Sequence, residues 1–153
     1  MILGFFNKRK EKKQAIIDRK KKLQRIDVFP LGDEWKASDK KKLELQELIS
    51  FLIDLVDNHD FIVKRSWGRG LPKDCYLRRD YGNAEISLET YVDVSGQNHD
   101  RVGKISLGLE WNFEGVYNEK KDTYVGEIDK SKECSLKVAK KILPEIIQKF
   151  EEL

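Results

Sequence analysis

Two different hydrophobic periods run along this chain. Between residues 38 and 58 apolar side chains recur every three or four positions. Leu45, Leu48, Ile49, Leu52, Leu55 and Val56 line one side of a helix, and Glu44, Glu47, Asp54 and Asp57 fall on the other. Ser38 is a hydroxyl N-cap, Asp39 places a carboxylate in the first turn where the helix dipole favours it, and Asn58 marks the stop. Beyond residue 60 the period falls to two. Phe61, Val63 and Trp67 alternate with Ile62, Lys64 and Ser66, a short strand with mixed faces. Residues 67–72 read as a loop, and Cys75 to Tyr81 as a second strand. Gly82-Asn83 tolerates positive φ at both positions and predicts a two-residue hairpin turn.

The next strand alternates cleanly. Ala84, Ile86, Leu88, Thr90, Val92 and Val94 point one way, and Glu85, Ser87, Glu89, Tyr91 and Asp93 the other. After a polar turn over 95–100, Ile105, Leu107, Leu109, Trp111 and Phe113 alternate with Lys104, Ser106, Gly108, Glu110 and Asn112. A further turn covers Asn118 to Asp122, and Thr123 to Ile128 is read as the last strand. The helical period then returns in Leu136, Ala139, Leu143, Ile146, Ile147 and Phe150. A helix over 131–151 is expected, capped by Ser131 or Asp129 and kinked or broken at Pro144.

Strands with one dry and one wet face belong to antiparallel sheets, because parallel strands are covered on both sides. Grouped strands flanked by helices predict an α+β fold. The expected architecture is an antiparallel meander of about five strands. Helices 38–58 and 131–151 cover its dry face, and Glu85, Glu89, Asp93 and Glu110 lie on its wet face with Lys104 among them. A chain of 153 residues favours one such domain, assigned here to 38–153.

Ahead of it, residues 5–26 are rich in helix formers, but their apolar positions (Ile16, Ile17, Leu23, Ile26) make only a thin stripe. Val28-Phe29-Pro30-Leu31-Gly32 punctuates a linker over 27–37.

Charge divides the chain at the same place. Residues 1–26 carry ten Lys/Arg against two acids, whereas the rest carries twenty basic and twenty-five acidic side chains. The overall +3 therefore conceals a basic helical arm on an acidic body. No apolar run approaches the roughly 20 residues of a membrane span. The order of the N-terminus, apolar first and basic afterwards, is the reverse of a secretory signal, so the chain reads as cytoplasmic.

Little in the sequence points to catalysis. Cys75 and Cys134 lie far apart and read as reduced packing residues. His59 and His99 have no His or Cys at ligand spacing, and Gly68-Arg69-Gly70 lacks the further glycine and the strand-to-helix setting of a phosphate loop. No catalytic residue, metal ligand or cofactor is assigned, and the chain reads as non-enzymatic.

Three clusters remain. In the arm, Lys8, Arg9, Lys10, Lys12, Lys13, Arg19, Lys20, Lys21 and Lys22 suit nucleic-acid phosphates or an anionic membrane surface, with a solvated helix as the plain alternative. Trp67, Arg69, Lys73, Arg78 and Arg79 could grip a partner or a nucleotide; otherwise Trp67 packs inward and the arginines pair with the acidic body. On the third strand Glu85, Glu89 and Asp93 share a face with roughly 13 Å between neighbours, from ~3.3 Å per residue. That is too far for a paired-carboxylate mechanism, but it suits a negative patch that docks a basic protein. The leading expectation is a protein-binding module using Trp67, Arg69, Glu85, Glu89 and Asp93, of the immunity or inhibitor type. The alternatives are nucleic-acid binding by the arm, extended by Arg69, Arg78 and Arg79, and peripheral membrane attachment through residues 1–26.

Overall fold

The computed structural model describes residues 10–14, 35–66 and 71–153. Residues 10–14 are helical (α1) and exposed. Helix α2 spans Asp39–Asn58, with the Ser38 side chain accepting the Lys41 N–H at 3.1 Å. Its six predicted apolar residues are all buried. His59 closes it, its backbone N–H bonded to the Leu55 carbonyl.

Five strands follow in one antiparallel sheet: β1 (Ile62–Arg65), β2 (Tyr76–Asp80), β3 (Ala84–Ser95), β4 (Arg101–Phe113) and β7 (Ile128–Cys134), in the spatial order β1-β2-β3-β4-β7. Two short strands, β5 (Val116–Asn118) and β6 (Thr123–Val125), form a separate two-stranded ribbon between β4 and β7. Helix α3 (Leu136–Glu151) completes the α+β fold.

The pleat divides the sheet largely as the alternation predicted, except that Ser87 and Ser106, read as wet, are buried at 4% and 7% exposure. Ile86, Leu88, Leu107 and Leu109 are at most 1% exposed and join Leu45, Leu48, Leu52, Leu143 and Phe150 of the two helices in one core. Burial of this apolar surface is the main favourable term holding the sheet and helices together. Thr90 is a polar member of the dry face. It is fully buried and satisfied, its hydroxyl accepting the Cys75 N–H at 2.9 Å. The Gly82-Asn83 turn is present, with Gly82 at φ +90° and its N–H bonded to Asp80 Oδ1 at 2.7 Å.

The end of the chain differs from the reading of the sequence. Residues 128–134 are the fifth strand, not the entry to the last helix, and Thr123–Val125 belongs to the ribbon. Ser131 sits opposite Glu110 in the sheet, and the helix cap is Ser135, which accepts the Val138 N–H at 3.3 Å. The reason is solvation. β7 is an edge strand whose inner residues are exposed on both faces, so it needs no hydrophobic alternation. The helix runs unbroken from Leu136 to Glu151 with Pro144 inside it.

Trp35, in the segment read as linker, is buried in the core, and Lys36 beside it bonds the backbone of Asp100 and Val102. An isolated aromatic beside Pro and Gly carries no periodicity, so the pattern of the sequence offered no reason to place it inside.

Candidate functional site

Pairing register turns the wet strand faces into a grid. Tyr76, Glu89, Gly108 and Glu133 form one row across β2, β3, β4 and β7; Arg78, Ser87, Glu110 and Ser131 form the next; Asp80, Glu85, Asn112 and Asp129 form a third. Helices α2 and α3 pack on the opposite side, and among the described residues no helix covers this face.

A shallow depression of about 230 Å³ lies in its middle, lined by Glu89, Glu110 and Glu133, by Tyr76 and Tyr91, and by one cation, Lys132. Gly108 makes room for it. A Cβ at that position would come to 3.0 Å from both Cε2 and Oη of Tyr91, so a side chain there would make the tyrosine ring shift from its place across β4. The Tyr91 hydroxyl donates to Glu89 Oε2 at 3.3 Å. Burial pushes the Tyr91 hydroxyl above its ordinary pKa, and the negative charges of Glu89, Glu133 and Glu110 push the same way. Three carboxylates from three strands thus bear on one phenol.

The open face is acidic but not uniformly so. Arg65 reaches from β1 to Glu89 at 2.5 Å, steadied by a bond to the Asp74 carbonyl at 3.2 Å. Arg78 contacts Glu85 at 2.9 Å and Asp80 at 3.1 Å. These pairs are partly exposed and add little to stability, about 0–1 kcal/mol each. They do remove net charge from the β1–β2 side. Toward β4 and β7, Glu110 and Glu133, whose carboxylate accepts the Ser106 hydroxyl at 3.2 Å, share the depression with Lys132.

Among the predicted residues, Glu85 and Glu89 are on this face and Asp93 is exposed beyond a register shift that follows Val92. The carboxylates of the depression therefore come not from the Glu85–Glu89–Asp93 line of one strand but from three strands: Glu89, which Arg65 pairs, with Glu110 and Glu133. Glu133 could not have been found from the sequence, because residue 131 onward reads as helix and the β4–β7 register is invisible there. The arginine cluster is divided. Arg78 lies on the open face, whereas Arg79 stacks on the Tyr81 ring at 4.4 Å and pairs with Glu151 of α3 at 2.6 Å. No single face presents both as a track. Lys10, Lys12 and Lys13 are exposed on α1. Lys8, Arg9, Arg19, Lys20, Lys21, Lys22, Trp67 and Arg69 lie outside the described residues.

Burial raises the pKa of the Cys134 thiol, which Lys132 opposes and Glu133 reinforces, so it stays protonated at neutral pH and is a poor nucleophile. Cys75 is buried. Among the described residues no group of three or more His, Cys, Asp and Glu side chains is placed to hold a metal ion, and no helix is long and apolar enough to cross a membrane.

Fold and site together define an α+β protein with one helix-covered face and one open, acidic sheet face. Comparison with protein-family models, with curated proteins and with solved structures finds no match.

Proposed function

We propose that this protein is a non-enzymatic binding module, of the inhibitor or immunity type, that docks a basic protein on its open sheet face. The observation that carries the reading is the convergence of Glu89, Glu110 and Glu133 around Tyr91 in a depression that no described helix covers. Carboxylates set on rigid strands lose little entropy when they meet lysine or arginine, and their shared field accelerates encounter with a cationic partner. The two tyrosines, Tyr76 and Tyr91, add large surfaces with few rotatable bonds, the type of side chain that anchors protein interfaces.

The test is capture from a nuclease-treated host lysate on immobilised full-length chain, followed by titration of the captured protein. The expected result is a stoichiometric complex with a basic protein, weakened by about tenfold or more when Glu110→Lys and Glu133→Lys are combined. A complex indifferent to that double charge reversal would refute the acidic-face reading.

A second reading, nucleic-acid binding by the basic arm, is favoured by the exposure of Lys10, Lys12 and Lys13 on α1. It requires oligonucleotide retention that falls steeply with salt and disappears on deletion of residues 1–26.

A further inference from the structure

The depression on the open face has two halves, built alike but filled differently. In the half toward β1 a guanidinium is already in place. Arg65 pairs with Glu89 at 2.5 Å, and its Cζ lies 5.9 Å from the centre of the Tyr76 ring, so one cation meets a carboxylate and an aromatic face together. In the half toward β7 the same elements recur without a paired cation. Tyr91 lies across Gly108, with Glu110 and Glu133 beside it. Register makes these two carboxylates diagonal neighbours, because Glu110 faces Ser131 and Glu133 faces Gly108. Lys132 lines the same depression, but it faces Leu109 across the ladder, on the alternate side of the pleat. Among the described residues it pairs with neither carboxylate.

Ser87 lies between the halves. It is 4% exposed, flanked by Glu85 and Glu89 along β3 and by Arg78 and Glu110 across the ladder. Its hydroxyl has no hydrogen-bond partner among the described residues, and it lines the depression. A buried hydroxyl left unsatisfied costs free energy, which a donor bound in the depression would recover.

We infer that the β7 half of the depression receives the guanidinium of one arginine side chain of the docked protein. The guanidinium stacks on Tyr91 and pairs with Glu110 and Glu133, with the Ser87 hydroxyl as a further acceptor. Resting on the docking proposed above, this contact specifies the residue type by which the partner is held. Acceptors on three neighbouring strands beside a flat ring suit a planar fork of five N–H donors. An ammonium is a compact, strongly hydrated point charge and gains less there. The chain's own cations divide in the same way: Arg65 makes both contacts on its side, and Lys132 makes no ion pair on the other. At about 230 Å³ the depression is smaller than the roughly 300–1,000 Å³ of a pocket for a drug-sized ligand, so it holds one side chain rather than a length of chain.

The experiment titrates N-acetyl-arginine amide into the full-length, isotope-labelled chain, to about 50 mM at matched ionic strength, followed by two-dimensional NMR. The lysine and citrulline analogues are run alongside; citrulline keeps the shape of arginine without its charge. A saturable response is expected at the amides of Ser87, Tyr91, Gly108, Glu110 and Glu133, with a dissociation constant of about 1–10 mM. The lysine probe should bind about threefold more weakly and the citrulline probe about tenfold. Glu110→Gln with Glu133→Gln should weaken arginine binding about tenfold or more, and Ser87→Ala, which removes only the hydroxyl, about threefold. Gly108→Ala, whose added Cβ meets the Tyr91 ring at 3.0 Å, should act in the same direction. No saturable response, an equal response to lysine or citrulline, or arginine binding untouched by the paired Gln variant would each overturn the inference. The docking reading survives all three; it fails instead when the captured complex ignores Glu110→Lys combined with Glu133→Lys.

Discussion

The two faces of the five-stranded sheet are built from the same residues in alternation, yet they are governed by different forces. On the covered face Leu88 of β3 meets Leu77 and Leu109 of its neighbours, all at most 1% exposed. One residue along, Glu89 meets Tyr76 and Gly108 and remains partly wet. The first side is held by loss of apolar surface from water and is indifferent to salt. The second is organised by charges: Arg65 and Arg78 pair with Glu89 and Glu85 on the β1–β2 side, and Glu110 and Glu133 lie with Lys132 on the β4–β7 side. A single strand therefore carries a salt-indifferent side and a charged side at once, because the pleat keeps them apart.

The sharpest way to break this comparison is Leu88→Ala. Truncating a fully buried leucine should destabilise the fold by about 2–5 kcal/mol in denaturant titration. Each charge reversal at Glu110 or Glu133 should shift stability by no more than about 0.5 kcal/mol. If the open-face changes were the more destabilising, the division of labour would be wrong.

An intermediate effect is expected at Ser135. Ser135→Ala removes the acceptor of the Val138 N–H at the start of the covering helix and should reduce stability by about 1 kcal/mol, read as a shift in denaturation midpoint at unchanged slope.

The smallest effect at neutral pH is expected from Tyr81→Phe, at the seam where β2 meets α3. The ring packs edge-on to Phe150 at 5.7 Å, and its hydroxyl has no hydrogen-bond partner. Replacing it should change stability by less than about 0.5 kcal/mol at pH 7. The difference should appear in alkali. Burial pushes the Tyr81 hydroxyl from 10.0 up to about 12, against the lowering influence of Arg79 and with that of Glu151 and Asp60. The folded state thus holds its proton to higher pH than the unfolded chain. The stabilisation is complete below pH 10 and is lost as pH rises toward 12. Wild type should lose stability across that window more steeply than Tyr81→Phe, and parallel curves would contradict the assignment.

Much of the covered face was legible before any coordinates. Leu45 through Val56 repeat at helical spacing behind a serine cap, and the apolar positions from Ile86 to Val92 and from Ile105 to Phe113 alternate, because burial on one side leaves a periodic trace; Ser87 and Ser106, small side chains on the other side, are buried as well. Where both sides are wet the trace vanishes. β7, with Asp129, Lys130, Lys132 and Glu133, has nothing to hide from water and so reads like a polar helix start. The ribbon misleads in the opposite sense, since Val116, Tyr117, Tyr124 and Val125 resemble a buried strand but face solvent. The candidate site was half legible. The parity of β3 put Glu85 and Glu89 on the open side. That Arg78 and Arg65 neutralise them, and that Glu133 joins Glu110, depends on register between strands distant in sequence.

One residue alone, Ser135, separates the last residue of β7 from the first of α3. A strand that slid along β4 by one side-chain repeat would travel about 7 Å, and this junction holds no slack to supply it. The missing length would have to be unwound from the helix, undoing its serine clasp and drawing Leu136 out of the interior. The edge that carries Glu133 is thus anchored like a rope made fast at the mast: a pull on the strand is felt at once by the hydrophobic interior, and its alignment lasts as long as the helix does.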